Sequence, residues 1–188
     1  MKKVASHLQY DWWKYAAVIL VPLILWCSVF SALKKPKANE RLHVLVLGEG
    51  LDIAAMEREL TDYLEANLEQ PLKSVKVAMA EYTQDMFENQ MMAATYAYDI
   101  LLISREQMRQ DIGRSYFFVL PQQLQTDGIS LYEETVDGEQ RPFGAYVLEQ
   151  YVAFISPQTK NLYPLHPASE AGDQAAVLAW QWLMVYGN

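Results

Sequence analysis

Eighteen consecutive residues, Ala16 to Leu33 (AAVILVPLILWCSVFSAL), carry no charged side chain, and a chain of 188 residues has few ways to accommodate such a run. At about 1.5 Å per residue, a helix over it is ~27 Å long, close to the ~30 Å hydrocarbon layer of a bilayer. Tyr10, Trp12, Trp13 and Tyr15 stand before it, and Lys34, Lys35 and Lys37 follow. Aromatics at one boundary and cations at the other are what a spanning helix uses at its interfaces. Pro22 is tolerable there because neighbouring groups compensate its missing donor. A cleaved signal peptide fits less well, since the run is long for a signal core and carries bulky Trp26 and Phe30 near its end. Lipidation is disfavoured by Trp26 immediately before Cys27. A soluble core rarely holds so long a charge-free run between lysines. The expected organisation is a tail over 1–14, a single-pass transmembrane anchor helix over 15–33, a linker over 34–41 and a soluble domain over 42–188. The lipid bilayer is then the first expected partner.

Charge divides the chain at the same place. Residues 1–38 hold six lysines against Asp11, whereas 39–188 hold nine Lys and Arg against 22 Asp and Glu. An acidic domain without a basic stripe lacks the clustered cations that phosphate backbones require, so nucleic acid is excluded as a partner. Lys2, Lys3 and Lys14 before the apolar run nearly balance Lys34, Lys35, Lys37 and Arg41 after it. That count tilts only faintly toward a cytoplasmic domain. With Cys27 the sole cysteine, the domain has neither disulfides nor thiolate metal ligands.

Beyond the linker, Leu42 to Leu47 is a β-favouring run ending at Gly48, read as a buried parallel strand. Asp52 caps a helix with apolar Ile53, Met56, Leu60, Leu64 and Leu68 at helical spacing, closed by Pro71. A second strand covers Val75 to Ala80, a helix capped by Thr83 runs to about Tyr98, and Ile100 to Ile103 forms a third strand. This β-α-β-α-β order predicts a three-layer α/β domain with a mainly parallel sheet. Glu106 to Ile112 reads as one short helix, and Tyr116 to Leu120 as a strand or extended segment. Asp137-Gly138 marks a turn between strands. Tyr151 to Ile155 is a further strand, and Ser169 opens a last helix whose apolar residues lie nearly all round it, a pattern of central burial or of contact with a partner.

The segment from Arg41 to Ser104, and within it VKVAMAEYTQDMFENQMMAATYAYDILLIS (75–104), resembles the first lobe of bacterial extracellular solute-binding proteins of the periplasmic-binding-protein type II fold. The following FFVLPQQL is similar to an apolar-Leu-Pro segment of that family. The combination of a Tyr- and Trp-rich anchor with so short a domain looks like that of a set of Gram-positive membrane proteins. The resemblance covers about two-thirds of the domain. It implies a single lobe facing outside the cytoplasm, because residues 39–188 have no room for a second lobe to clamp a ligand. The family's Pro before the Asp is Tyr98 here.

Few residue patterns point to chemistry. Gly48-Glu49-Gly50 lies between strand and helix as in a dinucleotide loop, but Ile53 stands at the third glycine position and Glu49 and Asp52 repel a pyrophosphate. His7, His43 and His166 have no ligand spacing, so no metal is expected. Ser104 lacks an elbow motif and reads as the cap of the next helix. Glu133, Glu134, Asp137 and Glu139 read as a solvated loop rather than a cation site. No catalytic residue and no cofactor is indicated. The first expectation is a non-enzymatic binding or interaction domain at the membrane, outside the cytoplasm and accessory to a transporter or envelope complex. Trp180 and Met184 are its candidate contacts for a protein partner or a second copy. The second is a ligand receptor with Gly48, Glu49, Tyr82 and Ser104 at its strand ends. A cryptic enzyme is the third.

Overall fold

The computed structural model describes residues 14, 16–30, 40–80, 87–109, 111–125, 128–156 and 171–186. The chain divides into two compact units, Met1–Pro36 and Lys37–Asn188.

In the first unit the described helix, α1, runs over residues 16–30. Ser28 Oγ donates to Ile24 O (2.7 Å), and the Trp26 and Phe30 rings approach to 4.9 Å one turn apart. Among the described residues no helix is long and apolar enough to cross a membrane. The expected transmembrane helix over 15–33 is therefore corrected. The described helical residues, 16–30, reach about 22 Å against a ~30 Å hydrocarbon layer.

The second unit is one α/β domain. Its elements are β1 (Arg41–Leu47), α2 (Ile53–Asn67), β2 (Ser74–Ala80), α3 (Phe87–Ala97), β3 (Ile100–Ser104), α4 (Ile112–Tyr116), β4 (Leu131–Val136), β5 (Glu139–Val147), β6 (Tyr151–Ile155) and α5 (Ala171–Tyr186). They form a six-stranded sheet in the order β2-β1-β3-β6-β5-β4. β1 pairs in parallel with β2 and β3, but β6 is antiparallel to β3, β5 to β6 and β4 to β5. The sheet is mixed, which corrects the expectation of a mainly parallel one. The reason lies in the connections. Parallel neighbours need a crossover of a dozen residues or more, which α2 and α3 supply. Past α4, by contrast, β4, β5 and β6 are joined to one another by turns of two and three residues. Asp137 (φ 54°) and Gly138 (φ 84°) make the two-residue, positive-φ turn that folds β4 directly back as β5.

Strand alternation distributes the core. Leu42, Val44 and Val46 pack with Met56, Leu60 and Leu64 of α2 and with Ala176, Trp180 and Leu183 of α5. Leu45 and Leu47 point the other way, toward Met91 and Ala94 of α3 and Ile112 of α4. Three layers result, as the periodicity predicts. Each fully buried Leu or Val contributes about 1.5–3 kcal/mol. Asp52 caps α2 as expected, its Oδ1 accepting Ala55 N–H at 3.0 Å. The outer edge of the sheet at β2 is shielded where Glu57 Oε2 accepts Val77 N–H (2.8 Å), a carboxylate guarding an edge that could otherwise template another strand.

Other local expectations shift. The helix expected over 106–112 is a single 3₁₀ turn, Arg105–Gln107, followed by the separate α4. Residues 117–120 are extended without being a strand, tied to β5 by Leu120 N–H on Pro142 O (2.7 Å). Thr83, Ser169 and most of the linker lie outside the described residues.

Candidate functional site

The connection from β1 to β2 passes over one face of the sheet through α2, and that from β2 to β3 returns over the opposite face through α3. β1 is thus flanked by crossovers on opposite faces. Open α/β sheets bind ligands outside the carboxyl ends of such strands, where the winding reverses. Here that point lies between the ends of β1 and β3, at Gly48 and Ser104.

Gly48 is buried with φ +149°, and a Cβ on it would lie 2.8 Å from Tyr151 Oη and 2.9 Å from Ser104 Cβ. The absent side chain is what allows the strand ends to close on each other. Tyr151, only 2% exposed, donates its hydroxyl to Glu49 O at 2.6 Å. Burial pushes the phenol's pKa up, and the Glu49 charge adds to the shift. The Glu49 side chain and Gly50 are exposed. Ser104 is half-buried, sits opposite Tyr151 in the β3–β6 pair, and begins the 3₁₀ turn. Its hydroxyl makes no capping hydrogen bond, which corrects its reading as a cap. In the same turn Gln107 Oε1 is a buried acceptor without a donor.

The neighbouring cation points elsewhere. Arg105 lies 4.5 Å over the Tyr146 ring, and Tyr146 packs with the α3/α4 core. By alternation along β3, Ser104 faces the α2/α5 side with Tyr151. The Arg105 N–H is held by Gln150 O at 2.8 Å. The turn supplying that carbonyl is strained: Leu148 (φ 51°) and Glu149 (φ 55°) are both left-handed, at about 1–2 kcal/mol each.

Gly48, Glu49 and Ser104 are therefore brought together, as the sequence suggests, and Tyr82 lies outside the described residues. Tyr151 escapes sequence reasoning, because its role depends on a contact 102 residues away and nothing in YVAFI marks its hydroxyl. Trp180 and Met184 do not form a docking face. They are 0% and 3% exposed, and Trp180 Nε1 donates to Leu124 O (2.9 Å) inside the core. On α5, Val185 and Tyr186 are the large apolar residues left exposed.

His43 is half-buried near the start of β1, with burial and then Arg41 holding its imidazole below the usual value. Five residues of strand, about 16 Å, separate it from Gly48, so it cannot serve Ser104 as a base. His7 and His166 lie outside the described residues. The acidic run expected as a solvated loop is a hairpin. In it, Glu134 is buried and accepts from Gly113 N–H (2.5 Å), Arg114 N–H (2.9 Å) and Tyr132 Oη (2.9 Å), fastening α4 to β4. A cavity of about 410 Å³ adjoins it, lined by Asp111, Arg114, Tyr132, Glu133, Glu134 and Thr135. Among the described residues no three His, Cys, Asp or Glu side chains gather to hold a metal.

Compared with known proteins, the chain matches no family model, no curated protein and no solved structure.

Proposed function

We propose that the domain is a non-enzymatic binding module whose ligand docks at the ends of β1 and β3. The observation that carries this is the position of Ser104, half-buried, its Cβ packed beside Gly48 at the point where the winding reverses and its hydroxyl in no capping bond. The groups around it suit holding rather than transforming. Tyr151 is engaged with the Glu49 carbonyl, and His43 is at the far end of β1. A thermal-shift screen of the full chain against sugars, amino acids, short peptides and divalent cations tests the reading. A ligand at 100 times its dissociation constant adds about 2.7 kcal/mol, which raises the midpoint of a domain this size by several degrees. The expected result is a shift that Ser104→Ala abolishes. A shift that this variant leaves intact, or a folded chain silent across the panel, overturns it.

The proposal extends to location. Val18, Leu20, Leu23 and Trp26 of α1 are exposed and apolar, a surface that calls for covering. The interfacial layer of a bilayer, entered without a crossing, is the covering we assign to it. Flotation with lipid vesicles checks this; a chain that stays in the dense fraction refutes it.

A further inference from the structure

The two edges of the sheet are treated differently. On β2 the Val77 N–H is taken by Glu57 Oε2 at 2.8 Å. The other edge is β4, which pairs with β5 alone. Its outward groups follow from the hairpin. Val136 and Glu139 flank the two-residue turn and exchange hydrogen bonds, and alternation makes Glu134 and Arg141 the next such pair. Glu133 and Thr135 therefore turn their N–H and C=O groups away from β5. Pro142, which has no N–H to give, stands opposite Glu133, and Tyr146 N–H reaches Ser130 O, so the even-numbered residues face β5. Glu133 and Thr135 are exposed, and among the described residues no side chain takes their N–H groups as Glu57 takes that of Val77.

The cavity of about 410 Å³ reaches this edge, its lining running from Glu133 and Thr135 to Asp111 and Arg114 at the start of α4. Charge selects what can lie along it. Arg114 is engaged by Asp111 (2.5 Å) and Arg141 by Glu139 (3.3 Å). The exposed carboxylates of Glu133 and Asp137 have no ion-pair partner among the described residues. Like charges placed opposite one another destabilise a strand pair, so two copies joined through β4 would bring two acidic edges together.

We propose that β4 is a strand-addition edge for an extended peptide in which basic and apolar residues alternate. The peptide pairs antiparallel, the more stable arrangement, with the outward groups of Glu133 and Thr135. Its basic side chains lie on the face of the Glu133 carboxylate, and its apolar ones on the opposite face with Tyr132, beside α4. The edge is three strands from β3, and its occupancy is independent of Ser104.

The test titrates a capped heptapeptide of alternating lysine and valine into the isotopically labelled full chain while amide shifts are followed. Two companions are compared: the same peptide with glutamate for lysine, and the lysine peptide methylated on the backbone nitrogens of its lysines, which keeps the charge but removes the donors. The first peptide is expected to shift the Glu133 and Thr135 amides saturably and slow their hydrogen exchange, with both companions at least tenfold weaker. Thr135→Pro removes an outward N–H while leaving the β5 ladder intact, and is expected to weaken binding at least tenfold, with spectral dispersion reporting the fold. Ser104→Ala is expected to change nothing. Equal binding by the methylated peptide makes the contact one of charge alone and overturns strand addition, on the unaltered chain. Equal binding by the glutamate peptide overturns the basic occupant. Shifts at these amides that grow with chain concentration in the absence of peptide make the occupant a second copy, and silence at both amides overturns the edge altogether.

Discussion

Replacing Gly48 with alanine puts the proposed closure of the strand ends under direct test. The new Cβ would stand 2.8 Å from Tyr151 Oη and 2.9 Å from both Tyr151 Cε1 and Ser104 Cβ, closer than such atoms approach. Tyr151 cannot swing aside cheaply, because it is 2% exposed and hydrogen-bonded to Glu49 O. Overpacking of this kind costs about 1–3 kcal/mol. The backbone adds a second penalty: φ of +149° belongs to a region that is essentially glycine's own, at about 1–3 kcal/mol for another residue. The expected loss is therefore about 2–6 kcal/mol, a large part of the stability of an ordinary domain. Gly50→Ala is the matched control. Gly50 also has positive φ (+93°), but a Cβ there meets nothing within 4 Å, so only the backbone penalty remains. Urea unfolding of both variants, read at constant m, separates the two contributions. Equal losses would mean that Tyr151 and Ser104 do not crowd Gly48, and the account of the strand ends would fail.

Two further outcomes follow from buried polar groups. Because the folded His43 imidazole is held below its unfolded value of 6.5, protonation favours the unfolded chain. Its contribution is fully present above pH 6.5 and is lost as pH falls toward the folded value; His43→Gln should remove that slope from urea midpoints measured between pH 8 and pH 5.5, and an unchanged slope would contradict the assignment. Glu134→Ala strands the donors of Gly113, Arg114 and Tyr132 and should cost about 3 kcal/mol, with Glu134→Gln losing about a third of that. Identical midpoints for the two variants would refute the clasp.

The sequence is most legible where local pattern alone decides structure. The run Leu42–Leu47, the cap at Asp52 and the 3.6 period through Met56, Leu60 and Leu64 specify a strand, a boundary and a helix face with no reference to the rest of the chain. Partner and direction are not local. YVAFI is as continuously apolar as ILLIS, yet β6 runs against β3, because the chain enters it through a three-residue reversal that contains neither Gly nor Asn. Left-handed Leu148 and Glu149 leave no mark in composition. The all-round apolar character of α5 is consistent with either core or contact, and the depth of Trp180 is settled only by the Leu124 carbonyl 56 residues earlier. At the candidate site the glycines and Ser104 can be found from strand ends. The tyrosine that packs against Gly48 cannot, because it arrives from the opposite direction.

That reversed strand bears on how the molecule assembles. β1, β2 and β3 lie within 64 residues and join through successive helices, a sequence of short closures. Tyr151 meets Glu49 across a separation of 102 residues, and ordering that much chain precedes any reward from the contact. The parallel half can thus form its ladder early, while the Tyr151 contact comes late, when the β5–β6 hairpin slots between β3 and β4. A nascent chain halted before residue 151 would display the ends of β1 and β3 without the tyrosine that packs against Gly48 in the finished fold.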